Sequence, residues 1–314
     1  MPFVSCPRSD PPKQTESSRS PSTEINGMSK RKQLLVGCGE WGFRELPMEE
    51  HFRITAEFGM KYLEFGIGGD QTGRLPAEPS ESDIAEFLAL GEKYEIKTPF
   101  CCLENDFTLG DPVEHEKMLA GVIAQIHAAA ACKATHVRLF AGFTPIGQMD
   151  KGRWTRMLDA FRQCNDLCQE LGLQIAIETH GALNFHGDGS ATHTSTITTH
   201  GLGLARLLKE LPAEIGFNYD PGNIKAAEPE IEDLHLELLN PRINYCHLKD
   251  WRRTDLGWIA CAIGDDDLDY ESLLGDLEFA GVCLIEYEPL ADPEDGIRRS
   301  LEYLHRVVEH VLFE

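Results

Sequence analysis

Four side chains able to hold a cation or move a proton stand at the ends of short apolar runs: Glu178, Asp220, His247 and Glu286. The clearest run is Leu173-Gln-Ile-Ala-Ile, which stops in Glu178-Thr-His180-Gly181. A short apolar run bounded by turn signals reads as a buried strand. Period-two alternation then sends Ile175 and Ile177 to one face, and Gln174, Ala176, Glu178 and His180 to the other. A parallel strand covered by helices normally stays apolar on both faces. Here one face turns polar where the strand ends, and in α/β folds that end is where chemistry sits. The pattern returns at Asp220, His247 and Glu286. Three carboxylates brought to one mouth repel one another, and a divalent cation relieves the repulsion. Oxygen-rich coordination with one nitrogen suits manganese, magnesium or cobalt better than a structural zinc site, which would draw on cysteine. Manganese is the expected ion, with magnesium, cobalt or zinc as alternatives.

The elements that must position these residues alternate along the chain. Strands are expected at 34–39, 61–66, 96–103, 135–140, 173–178, 214–220, 242–247 and 282–288. Helices are expected at 47–58, 80–94, 112–132, 154–171, 199–211, 230–239, 270–280 and 293–312, with a polar loop over 184–196. Eight such alternations in about 280 residues give a (β/α)8 TIM barrel, an α/β fold with every strand end around one mouth. A doubly wound sheet is the competitor. Gly37-Cys-Gly39-Glu-Trp-Gly42 has its GxGxxG spacing but leads into Phe-Arg-Glu-Leu-Pro rather than an apolar helix. The long loop 251–269 carries Trp251, Leu256, Trp258 and Ile259, expected to line the pocket mouth or a contact with a second subunit. Glu64, Glu104 and Arg138 also fall near strand ends and are expected to line the pocket.

Residues 1–30 are rich in Ser, Pro and Thr and read as a disordered tail, leaving 31–314 as one catalytic barrel domain. Met28, just ahead of the first strand, reads as an alternative translation start. With 29 Lys and Arg against 52 Asp and Glu, the net charge of -23 opposes nucleic acid and anionic lipid. Ten cysteines occur without a CxxC pair, without an apolar leader segment and without any membrane-spanning run. A reducing, cytoplasmic setting is expected.

The chain resembles the xylose-isomerase-like TIM barrels, in particular the sugar-phosphate isomerases and epimerases related to D-tagatose 3-epimerase, hydroxypyruvate isomerase and inosose dehydratase. The resemblance runs from about Lys32 to the end. It rests on Ile177-Glu178-Thr-His180-Gly181, Tyr219-Asp220-Pro-Gly-Asn223, His247-Leu-Lys249-Asp250 and Ile285-Glu286-Tyr-Glu288. It implies that Glu178, Asp220, His247 and Glu286 bind one divalent metal. It implies also that Glu178 and Glu286 are catalytic, moving the α proton of a sugar, sugar phosphate or polyol derivative through a metal-stabilised enediolate. Candidate substrate-binding residues are His180, by strand parity, and Asn223, Lys249 and Arg253. Asn223 stands where these epimerases often have histidine, Asn184 where they often have an acid, and Arg253 matches an arginine of theirs. A dehydratase acting on an inosose-like or dehydroshikimate-like substrate is the alternative. An abasic-site endonuclease ranks lower, since it needs further zinc ligands and a DNA partner that the charge opposes. The implied partner is a small-molecule carbohydrate, with neither nucleic acid nor membrane expected and a homo-oligomer open.

Overall fold

The computed structural model describes residues 31–314; the expected tail 1–30 and Met28 lie outside it. Eight parallel strands form the barrel: β1 (Gln33–Cys38), β2 (Tyr62–Ile67), β3 (Lys97–Leu103), β4 (His136–Phe140), β5 (Gln174–Glu178), β8 (Gly216–Tyr219), β9 (Ile243–Leu248) and β12 (Cys283–Ile285). They pair in that order, and β12 closes on β1 through Val36↔Cys283 to Cys38↔Ile285. Between them run the helices α1 (Met48–Glu57), α2 (Glu81–Tyr94), α3 (Pro112–Ala131), α4 (Lys151–Leu171), α5 (Gly201–Glu210), α6 (Pro221–Ala227), α7 (Leu236–Leu239), α8 (Tyr270–Asp276) and α9 (Pro293–Val307). Their starts follow local chemistry. Ser80 and Asp83 form a capping box on α2, while Asp111 and Asp150 cap α3 and α4.

Strand parity divides the core in two. One set of side chains, including Phe65, Val137, Ile175 and Phe217, packs outward under the helices. The other set points into the barrel, where Phe100, Ala176, Tyr245 and Leu284 cluster. Leu284 needs room, and Gly37 gives it: a Cβ there would lie 2.8 Å from Leu284 Cδ2 and 2.7 Å from the Tyr62 carbonyl. One pleat further up, the same inward face presents Glu64, Arg138, Glu178, His247 and Glu286. An apolar plug therefore supports a polar floor.

Several segments differ from the expected pattern. Residues 184–196 are not a plain loop: β6 (Ala182–Phe185) and β7 (Ala191–Thr194) form a hairpin. The long loop after β9 forms a second hairpin, β10 (Asp250–Arg253) with β11 (Trp258–Cys261). The two join through Trp258↔Ala191 into a four-stranded antiparallel sheet over the mouth. Gly257 permits that junction, since a Cβ there would lie 2.4 Å from the Ala191 carbonyl. The expected helix at 230–239 shrinks to α7, because α6 starts at once after β8 with Asp220 as its cap. The chain end turns back as β13 (His310–Leu312), which pairs with the first half of β1 outside the barrel. No helix among the described residues is long and apolar enough to cross a membrane. All nine cysteines described are buried and unpaired, so they pack as small hydrophobes.

Candidate metal centre and pocket

Glu178 closes β5, His247 lies in β9, and Asp220 and Glu286 follow β8 and β12 directly. One ligand atom from each lies within 4.8 Å of the others, and all four are buried. Asp220 is held by its double duty as strand end and helix cap: its Oδ1 accepts from Asn223 N at 2.8 Å. Thr179 Oγ1 ties the two strand ends together, accepting from Asp220 N at 2.9 Å.

Each ligand is oriented by a neighbour. Glu64, fully buried, accepts from His247 Nε2 at 2.7 Å and also from the Tyr245 hydroxyl and Glu40 N. That turns His247 Nδ1 toward Glu286 Oε2 at 3.3 Å and Glu178 Oε1 at 3.9 Å, with the Asn218 amide 3.1 Å away. Asn223 Nδ2 donates to Asp220 Oδ2 at 2.9 Å and Glu178 Oε1 at 3.1 Å, and its own Oδ1 accepts from Trp251 Nε1 at 3.1 Å. Arg138 pairs with Glu178 Oε2 at 3.0 Å. Lys249, also buried, lies 2.7 Å from Glu286 Oε2, 2.8 Å from Glu288 Oε2 and 3.9 Å from Asp220 Oδ2.

These contacts set the charge states. Burial pushes the Glu178 carboxyl up, but Arg138 overcomes it and holds the group below its usual value. Burial likewise opposes ionisation of Glu286, and His247 and Lys249 bring it well below the usual range. Asp220 has no such close partner. Burial first, then Glu286 and Glu178, raise it to about 8 despite Lys249. A carboxyl forced up beside two ionised carboxylates, in a set with one imidazole, has the donor chemistry that a divalent cation fits.

Above the floor lies a cavity of about 470 Å³. Glu178, Glu286, Lys249 and His180 reach it, as do Glu104 and Arg138. Trp41, Phe140, Phe143, Leu183 and Phe185 make its walls apolar. His180 Nδ1 bonds the Gly181 carbonyl at 2.5 Å, leaving Nε2 as an acceptor, and its ring meets Phe140 and Phe143 edge to face at 5.1 and 5.5 Å. A larger groove of about 560 Å³ near Lys225 and Asp276 contains none of the ligand set.

The sequence-derived candidates thus fall into three groups. Glu178, Asp220, His247 and Glu286 converge, with His180 and Lys249 beside them. Asn223 is buried among the ligands and braces them rather than lining the cavity. Arg253 is exposed on β10, 5.6 Å over the Trp258 ring, and lies away from the cavity; the hairpin carries it outward. Asn184 is exposed on β6. Glu64 lies beneath the site rather than in its wall, although its inward parity at the end of Tyr62-Leu-Glu64 carried the same signal as Glu178. Trp251 and Trp258 pack with Ala226 of α6 and do not line the mouth. Sequence reasoning passed over Trp41, Arg44 and Phe143, which loops bring to the wall.

The family model for xylose isomerase-like TIM barrels matches residues 52–307, and the chain belongs to that family. No curated protein matches it by sequence. Among solved structures it is similar to a xylose isomerase-like TIM barrel protein from Mycobacterium smegmatis in complex with magnesium. That match has TM-score 0.66 and 17% identity, covering 87% of this chain and 96% of that one. It is similar also to D-allulose 3-epimerase from Methylomonas sp. in complex with D-allulose, with TM-score 0.65 and 15% identity, covering 89% and 99%. A third is the probable 3-DHS dehydratase of petrobactin synthesis from Bacillus anthracis, with TM-score 0.65 and 15% identity, covering 88% and 98%.

Proposed function

We propose that this protein is a divalent-metal-dependent isomerase or epimerase of a sugar, sugar phosphate or polyol derivative, working by α-proton abstraction. The observation that carries the reading is the convergence of Glu178, Asp220, His247 and Glu286 within 4.8 Å. The cavity above them, about 470 Å³, is of a size for one small ligand. The magnesium complex of the Mycobacterium smegmatis protein and the D-allulose complex of the Methylomonas epimerase support a cation and a carbohydrate here. A metal bound by the four residues would supply Lewis-acid polarisation of a carbonyl and its neighbouring hydroxyl.

The chain's own residues do the rest. Glu178 and Glu286 are separated around the mouth by β8 and β9, so they approach a bound substrate from two sides. Arg138 and Lys249 keep them ionised, as a base must be. One carboxylate takes the α proton. In epimerisation the other, once it has gained a proton from solvent, delivers that proton to the opposite face. In isomerisation the first passes its own proton to the next carbon, and exchange with solvent restores both carboxylates. His180 Nε2 accepts from a substrate hydroxyl, and the aromatic walls pack against the apolar face of the substrate. Asn223 keeps Asp220 and Glu178 in register.

A second reading, dehydration of an inosose-like or dehydroshikimate-like substrate, is favoured by Lys249. Its buried ammonium reaches the cavity 2.7 Å from Glu286 Oε2 and carries a proton for a departing hydroxyl. The deciding experiment is an NMR time course in deuterium oxide with manganese-loaded protein and a panel of ketoses, inososes and 3-dehydroshikimate. Solvent deuterium at the α carbon with a new epimer or isomer is the expected result. Loss of water with a new double bond selects the dehydratase. No exchange in any compound, loaded or chelated, sinks both.

A further inference from the structure

Three cations line the cavity: Arg138, Lys249 and Arg44. Arg138 pairs with Glu178 and Glu104, and Lys249 with Glu286 and Glu288. Arg44 has no ion pair among the described residues, in a chain with 52 acidic side chains against 29 basic ones. Its guanidinium is nonetheless fixed. Nη1 donates to the Trp41 carbonyl at 2.5 Å and to the Glu288 carbonyl at 2.9 Å. The group stacks over the Trp41 ring, 4.5 Å from its centroid, while buried Arg74 approaches the same ring at 5.6 Å.

The turn that carries Trp41 and Arg44 is built for this position. Gly42 lets it press on the end of β12: a Cβ there would lie 2.0 Å from the Tyr287 carbonyl. Both protein bonds to Arg44 use one nitrogen, so the Nε–Nη2 edge keeps its donors. That edge has the spacing of a carboxylate or of two phosphate oxygens, and takes either in a bidentate pair. A half-buried guanidinium locked against an aromatic face loses little entropy on binding such a group.

We propose that Arg44, set on Trp41, is an anion subsite: the substrate carries a carboxylate or phosphate remote from its reacting carbons, read by the Nε–Nη2 edge. This rests on the isomerase, epimerase or dehydratase reading for the reacting end and adds the chemical class of the other end. The anion must be an appendage. A negative group at the floor would meet Glu178 and Glu286, whereas the Trp41 wall offers it Arg44, the cation of the three lining the cavity that has no carboxylate partner among the described residues.

The test uses the full chain, manganese-loaded, with three compounds: D-allulose, its 6-phosphate and 3-dehydroshikimate. The expected result is α-deuterium exchange into one of the two anions with kcat/KM at least 10-fold above D-allulose. Arg44→Met should lower that ratio 10- to 100-fold, mainly through KM, and Arg44→Lys should restore part of it. The phosphate and carboxylate arms distinguish the two anions. Exchange into D-allulose as fast as into both anions overturns the subsite and leaves the proposed function standing. A separate calorimetric arm needs no turnover. Metal-free wild type should bind benzoate at least tenfold more tightly than benzyl alcohol, and Arg44→Met should abolish the difference. Equal binding of the two probes by wild type, or an unchanged preference in Arg44→Met, rejects the proposal.

Discussion

Replacing Glu64 by Gln tests whether a residue that touches no substrate governs the metal centre. Its carboxylate serves three donors: His247 Nε2 and the Tyr245 hydroxyl at Oε1, and Glu40 N at Oε2, 3.1 Å away. An amide offers one acceptor. If its oxygen faces His247 and Tyr245, its NH2 confronts Glu40 N–H. If it is reversed, the NH2 confronts both side chains. Even the better orientation exchanges a charged acceptor for a neutral one at His247, a change from about 1.5–3 to about 1 kcal/mol in a hydrogen bond. Losses of this kind in the shell behind a ligating histidine cost about 10- to 100-fold in metal affinity, or about 1.4–2.7 kcal/mol. Manganese affinity, measured by competition with a fluorescent chelator, should fall by that factor in Glu64→Gln. Tyr245→Phe, which leaves the carboxylate and its bond to His247, should fall less than half as far on the logarithmic scale. Circular dichroism checks that both variants keep the barrel. Wild-type affinity in folded Glu64→Gln would refute the orienting role.

Three further outcomes are expected. Glu286→Gln and Glu178→Gln each keep one ligating oxygen but lose the base. With metal saturating, turnover should fall about 10²- to 10⁴-fold, and the double variant should cost far less than the product of the two. Undiminished turnover in metal-loaded Glu286→Gln would leave that residue a ligand only. In the ion-free protein, Asp220 stands at about 8 through burial and its neighbouring carboxylates, and Glu286 and Glu64 outweigh burial to raise His247 well above its usual value. Raised values mean both groups hold protons at neutral pH and release them when metal binds. Affinity should therefore rise with pH across the neutral range and flatten for Asp220 above about 8, as calorimetry in buffers of different ionisation enthalpy would show; a pH-independent affinity contradicts the cage. Trp258→Ala empties a buried position at the junction of the two hairpins. Loss of a buried Trp costs about 3–5 kcal/mol, so the midpoint of thermal unfolding should drop by several degrees or the hairpin amides should lose exchange protection, with manganese affinity held within about threefold if the barrel floor is independent of the sheet.

The barrel and the convergence of the four candidate ligands were legible because their signals are local. Each strand is a short apolar run, and each ligand is a polar residue at inward parity on the run's last turn of the pleat, as at Ala176–Glu178 and Tyr245–His247. The sheet over the mouth was not legible, because its cause is pairing across distance. The segment 182–194 is polar and exposed on one side, and it becomes a hairpin that joins the sheet only when Ala191 meets Trp258 some 67 residues later. Arg253 falls outside the cavity for that reason: the match to the family's arginine suits a loop that folds inward, whereas a hairpin strand turns Arg253 outward onto Trp258. The end of α9 was overrun because 308–312 continue its apolar character while pairing with β1.

The two layers of the site answer to different constraints. Glu178, Asp220, His247 and Glu286 hang from strand ends whose spacing a closed barrel fixes, and a change in one strand displaces its neighbours. Under the proposed function, the same four-residue floor therefore suits a range of reactions that begin with loss of an α proton. Trp41, Arg44, Phe143, Leu183 and Phe185 come from loops and a hairpin, which can change without reopening the barrel. On the proposed reading, the choice between epimerase and dehydratase on this floor turns on how the wall places the substrate: whether its departing hydroxyl faces Lys249, and whether Arg44 has an anion to hold while it leaves. On the same reading, metal affinity answers to Glu64 and Asn223 below, and substrate choice to Arg44 and Trp41 above. A variant in one layer should shift its own measurement and leave the other's nearly in place, which makes the Glu64 and Arg44 experiments independent tests.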